Sequence, residues 1–208
     1  MPLVRKSTAA VDAPPADVEE LKTALASSRP DERWQAARAL IDMPGGIALL
    51  GAGLATEADI RVREVIFSGI ARTATPEGAA LLLQLLRSED ASLRSGALDA
   101  LAAMPADMLA GRLPELLYDE DPDVRLLACE LARGMPSEDA TQLMADLLER
   151  ESEPNVCAAT MDVLAEIGGP QALPVLQRSA ERFASSPFLA FAIEIAVKRI
   201  KTTLDSGR

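Results

Sequence analysis

The sequence predicts an all-α fold, a right-handed solenoid of about six stacked helix pairs. Three observations predict it: a phrase that returns about every 31 residues, apolar spacing of helical period within each copy, and sparse β-branched and aromatic residues that nowhere alternate. The phrase is anchored by Arg33, Arg63, Arg94 and Arg125, which follow one another at intervals of 30, 31 and 31 residues. At the same phase stand Cys157 and Ala190, after 32 and 33 more. Three residues on come Ala36, Ile66, Ala97, Ala128, Thr160 and Ile193; four further on come Leu40, Ile70, Leu101, Ala132, Leu164 and Val197. Small or apolar residues at these offsets share one helix face, so the phrase marks the second helix of every pair.

Ahead of each second helix lies a turn signal. Pro30, Pro122, Pro154 and Pro187 share one phase and suit a first helical turn, where the missing N–H is not needed. Asp59, Asp90, Asp121 and Glu153 precede the helix and can cap its N-terminus. The first helices are expected at 18–25, 48–54, 79–86, 109–117, 143–148 and 173–183. Breakers such as Pro44-Gly45-Gly46, Thr75-Pro76, Met104-Pro105, Met135-Pro136 and Gly168-Gly169-Pro170 separate the pairs. The expected organisation is a flexible N-terminal lead over 1–16, a repeat domain over 17–201 and a flexible C-terminal tail over 202–208. The lead carries Arg5 and Lys6 but no apolar stretch of signal-peptide length, and no window reads as a membrane span. A cytoplasmic location is the expectation.

The phrases Asp121-Pro-Asp-Val-Arg125-Leu-Leu-Ala128, Asp90-Ala-Ser-Leu-Arg94 and Asp59-Ile-Arg-Val-Arg63 resemble HEAT repeats. The short period is similar to that of the phycobilisome-lyase HEAT-like class. The resemblance implies the solenoid fold and, for the group at large, a non-catalytic scaffold. It also brings in three specialised relatives: bilin lyase subunits handling tetrapyrroles, metal-dependent hydroxylases and helical-repeat DNA glycosylases. The hydroxylase chemistry needs His-Glu motifs, and this chain has no histidine. The glycosylase needs a basic, aromatic-lined groove, whereas aromatic residues are 3% here. A lyase-type accessory subunit handling a tetrapyrrole or other cofactor is the alternative to a scaffold.

Charge and composition narrow the function further. Against 32 Asp and Glu stand 21 Lys and Arg, a net charge of −11. A field of that sign repels phosphates, so no nucleic-acid or anionic-membrane partner is expected. The absence of histidine removes Ser-His-Asp and Cys-His catalysis and His-ligated metals. Cys129 and Cys157 read as small interior fillers, with no metal-ligand spacing. No catalytic residue, cofactor or metal is expected.

The in-phase arginines and the turn acids Asp59, Asp90 and Asp121 read as structural, with each arginine pairing to a turn carboxylate and bridging successive repeats. The outward face of the second helices carries the binding expectation, because second helices line the concave side of a solenoid. Glu64, Asp99, Glu130 and Asp162 fall on it, spaced about 10 Å from helix to helix. Trp34 and Leu126 add apolar anchors. Two readings stand at this point: an acidic ladder receiving a basic or amphipathic protein segment, or a merely solvated helix face.

Overall fold

A computed structural model describes residues 17–206. The expected lead, 1–16, lies outside the described residues. Thirteen α-helices follow one another, and no strand occurs among the described residues. The chain divides into two compact units, at a boundary inside the fourth helix.

In the unit ending at Gly69, α1 (Val18–Leu25) packs on α2 (Pro30–Leu40), and α2 meets α3 (Gly46–Leu54). Helix α4 (Ile60–Thr73) follows and crosses into the next unit. Pro30 starts α2, Asp17 caps α1 by accepting the Glu19 amide, and Gly45 (φ +76°) turns the chain back from α2 to α3. Leu40, Leu50 and Leu54 are fully enclosed, each contributing roughly 1.5–3 kcal/mol of apolar burial. Gly69 lies so close to Ile41 that a Cβ there would sit 2.1 Å from the isoleucine Cδ1.

The second unit stacks four helix pairs. Helix α5 (Pro76–Leu85) packs on α6 (Ala91–Ala102), and α7 (Asp107–Ala110) with α8 (Leu113–Leu117) precedes α9 (Pro122–Ala132). Helix α10 (Ser137–Arg150) packs on α11 (Pro154–Ile167), and α12 (Leu173–Arg182) on α13 (Pro187–Ser206). The second helices α6, α9, α11 and α13 touch in succession and form one layer, with the first helices behind them. The fold is an α-solenoid. Ala97, Ala128, Thr160 and Ile193, the in-phase residues of these second helices, are all buried. Their mostly small size lets successive helices approach closely, and the one hydroxyl among them donates to the Val156 carbonyl at 2.8 Å.

Three segments differ from expectation. The first helix expected at 109–117 is broken at Gly111-Arg112, because glycine disfavours helix interiors and Pro114, in the first turn of α8, cannot donate to a preceding carbonyl. Helix α10 starts at Ser137 rather than 143, favoured by Glu138 and Asp139 in its first turn. Residues 202–206 continue α13 instead of forming a tail, although every one of them is exposed. No helix among the described residues is long and apolar enough to cross a membrane.

Candidate interaction surface

The turns entering α2, α4, α6, α9 and α11 share one construction. In each, a side chain accepts the amide two residues on: Ser27 from Arg29 (3.1 Å), Glu57 from Asp59 (2.8 Å), Ser88 from Asp90 (3.2 Å), Asp119 from Asp121 (3.0 Å) and Glu151 from Glu153 (2.9 Å). The carbonyl of the same residue accepts from the in-phase side chain six residues later. Arg33, Arg63, Arg94 and Arg125 donate at 2.9, 2.5, 2.6 and 2.8 Å. Even Cys157, which replaces the arginine in the fifth copy, donates its thiol to the Glu151 carbonyl at 3.5 Å. Each turn is thus clipped from both sides, with one amide and one carbonyl held by side chains.

Two arginines also reach the next turn. Arg33 holds both oxygens of Glu57 at 2.7 and 2.8 Å, and Arg125 holds both of Glu151 at 2.6 and 3.0 Å. The Arg33 and Glu57 side chains are 17% and 8% exposed, and those of Arg125 and Glu151 14% and 4%, so both forks are largely desolvated. At the Asp119 turn the bridging cation is Arg87, one residue before Ser88, and Arg94 bonds only carbonyls of its own turn. Asp59, Asp90 and Asp121 each accept the amide two residues ahead, as helix caps. Glu153 stands at the cap of α11 without such a bond; the Glu151 carboxylate accepts the turn amides instead.

Both buried glutamates sit below their ordinary pKa. For Glu57 the Arg33 hydrogen bond is the main cause; for Glu151 desolvation pushes upward but is outweighed by Arg125 and the turn amides. A depressed folded pKa gives stability that is complete above the unfolded value, about 4.3, and is lost as pH falls through the folded one. The denaturation midpoint is therefore expected to hold from neutrality to about pH 5 and to drop below it. Glu151→Gln should flatten that drop, which a series of urea melts across pH measures.

The outward face of the second-helix layer is organised by Arg133. Its guanidinium donates to Glu130 at 2.9 Å on its own helix and to Asp162 at 2.7 Å on α11, and also pairs with Glu166. The structure thus brings Glu130 and Asp162 together and adds Glu166 and Arg133 to them. The group keeps a net charge of −2 at neutral pH. Asp99, on α6, is exposed and holds no ion pair among the described residues. Leu126 is half-buried rather than an exposed anchor, because α9 lies between α6 and α11 in the layer. In the first unit, Glu64 is exposed, and Trp34 is half-buried with the Arg38 guanidinium 5.5 Å from its ring centre. The most exposed large apolar side chains of the second-helix layer are instead Phe188 and Phe191, on α13.

Much of the acid along the turns is spent on structure. Asp119 and Glu151 hold arginines, Asp90 and Asp121 cap helices, and Glu149 pairs with Arg178. Arg150 lies 3.5 Å over the ring of Tyr118 and donates to the Leu117 carbonyl at 2.9 Å, another link between neighbouring pairs. Cys129 and Cys157 are free and fully buried, and burial pushes both thiols up to about 11. Thiolate is the reactive form, so neither cysteine should label with Ellman's reagent at pH 8 until denaturant is added. Among the described residues no group of three or more His, Cys, Asp or Glu is arranged to hold a metal ion.

Residues 109–186 match the family described as HEAT repeats. No curated protein matches the chain in sequence. Among solved structures, the chain is similar to Mini spindles TOG3 of Drosophila melanogaster, with TM-score 0.57 and 14% identity over 87% of this chain and 93% of that one. It is similar to a chain in a structure of microtubule plus-end tracking by XMAP215, CLIP-170 and EB1, with TM-score 0.55 and 12% identity over 88% and 90%. A third similar structure is the archaeal HEAT-like repeats protein from Thermococcus onnurineus NA1, with TM-score 0.50 and 13% identity over 89% and 87%. At such identities the likeness concerns the fold alone. The match places HEAT repeats within residues 109–186, and the helix pairs seen throughout the described residues make the fold an α-solenoid.

Proposed function

We propose that this chain is a non-catalytic protein-interaction scaffold, an adaptor or assembly chaperone of the cytoplasm. Its second-helix layer receives a basic or amphipathic segment of a protein partner. The observation carrying this reading is the distribution of charge. Residues 70–172 hold 19 Asp and Glu against 7 Lys and Arg, and on the outward face of their second helices Asp99, Asp162 and Glu166 remain exposed. A stack of rigid, clipped pairs supplies a broad surface with fixed spacing, which suits recognition of an extended partner. The exposed carboxylates steer a cationic segment toward it. On their short period the repeats fit the phycobilisome-lyase HEAT-like class, a grouping by repeat length that carries no activity with it.

The test is affinity capture from native lysate at low salt, comparing the wild type with Asp99→Lys/Glu130→Lys. A partner retained by the wild type, lost by the variant and released by added salt is expected. A partner held equally by both would place the binding surface elsewhere.

A further inference from the structure

We propose that the outward face of α13 docks on the acidic second-helix face of a second copy of this chain. Helix α13 buries Leu189, Ile193, Ala196 and Ile200 toward its neighbours α11 and α12. On the opposite side Phe188 and Phe191 are 63% and 62% exposed, followed by half-buried Ile195. Lys198 and Arg199 continue the same stripe one turn further on, at the i+3 and i+4 offsets from Ile195. Among the described residues neither cation has an ion-pair partner, and nothing covers the two rings. Two phenylalanines on adjacent turns, with a cationic end, form an aromatic anchor with an electrostatic guide.

The complementary surface is on the same chain. Asp99, Asp162 and Glu166 stay exposed on α6 and α11. Helix α13 already rests its inner side on α11, so its outer side, which also carries the exposed Glu194, faces away from its own layer, and the carboxylates of α6 and α11 reach it from another copy. Each copy offers both an anchor and an acidic face. A two-fold arrangement therefore satisfies both at once and closes without leaving a free end. The inference rests on the acidic-face reading and names one occupant for that face. A foreign basic segment and a second copy then compete for it.

The test is sedimentation of the full chain over a range of concentrations at low salt. The variants are Phe188→Ser/Phe191→Ser, Lys198→Glu/Arg199→Glu and Asp99→Lys/Glu130→Lys, each checked for unchanged helicity. The wild type is expected to dimerise, and each variant to raise the dissociation constant by at least about 30-fold. An equal mixture of the Lys198/Arg199 and Asp99/Glu130 variants should recover the dimer, because each supplies the sign that the other lacks. A monomeric wild type overturns the proposal, as does a dimer indifferent to Asp99→Lys/Glu130→Lys or a mixture that stays monomeric. A wild type that stays monomeric but binds phosphatidylserine vesicles through Phe188 and Phe191 overturns it in favour of a lipid surface. If the wild type is monomeric while a foreign partner still requires Asp99 and Glu130, self-association fails and the acidic face stands. If capture fails too, both fall.

Discussion

Arg125→Ala lowers the unfolding free energy by about 3 kcal/mol, the low end of the cost of stripping one partner from a buried ion pair. The low end applies because Arg125 keeps 14% exposure, whereas Glu151 keeps only 4%. The substitution leaves the Glu151 carboxylate in a desolvated site with only the Ser152 and Glu153 amides to hold it. It also strips the donor from the carbonyls of Asp119 and Glu120, which accept from Arg125 at 2.8 and 3.1 Å. Glu151→Ala should cost a similar amount, and the double variant clearly less than the sum of the two, since no charge is then stranded. Urea denaturation followed by circular dichroism measures the cycle. Additive losses would mean that the fork contributes no coupling between the α8–α9 pair and the α10–α11 pair.

Gly46→Ala is the second large effect, and it acts through backbone geometry. A Cβ at Gly46 would lie 1.8 Å from the Leu40 carbonyl oxygen and 2.8 Å from its carbon, where nothing flexible can give way. The close approach follows from Gly45, whose φ of +76° folds α3 directly back on the end of α2. The α2–α3 turn must open to admit the methyl group, at a cost of about 3 kcal/mol or more. Gly53→Ala is the control in the same helix. No atom lies within 4 Å of its added Cβ, so it should stabilise α3 by up to about 1 kcal/mol. Trp34 is the sole tryptophan and sits on α2, so its fluorescence on unfolding reports both variants.

Much of the architecture was legible because it depends on period. Apolar and small residues at helical offsets, with proline at the start of four second helices, locate the pairs whatever the partners of each side chain. The in-phase arginines announced themselves by identity. Their counterparts did not. The residue six places earlier is Ser27, Glu57, Ser88, Asp119 or Glu151, three chemistries doing one task, and only the geometry of the turn equates them. The recurrence of an acceptor side chain at that fixed distance was the available signal. Position on a helical wheel likewise placed Glu130 and Asp162 on one face, but a wheel cannot show that Arg133 spans two helices to join them. Leu126 and Phe191 share a phase, yet Leu126 is half-buried and Phe191 is 62% exposed, because α9 has neighbours on both sides in the layer and α13 on one only. Exposure at equivalent positions depends on place in the stack, which the period alone does not encode.

The proposed protein-binding surface is the row of exposed carboxylates on the second-helix layer. The direct measurement is an isothermal titration of the captured partner into the wild type and into Asp99→Lys/Glu130→Lys, at low and at raised salt. Wild-type affinity that weakens steadily with salt is expected, with no detectable binding by a variant whose helicity is unchanged. Equal affinities for the two proteins, indifferent to salt, would contradict it.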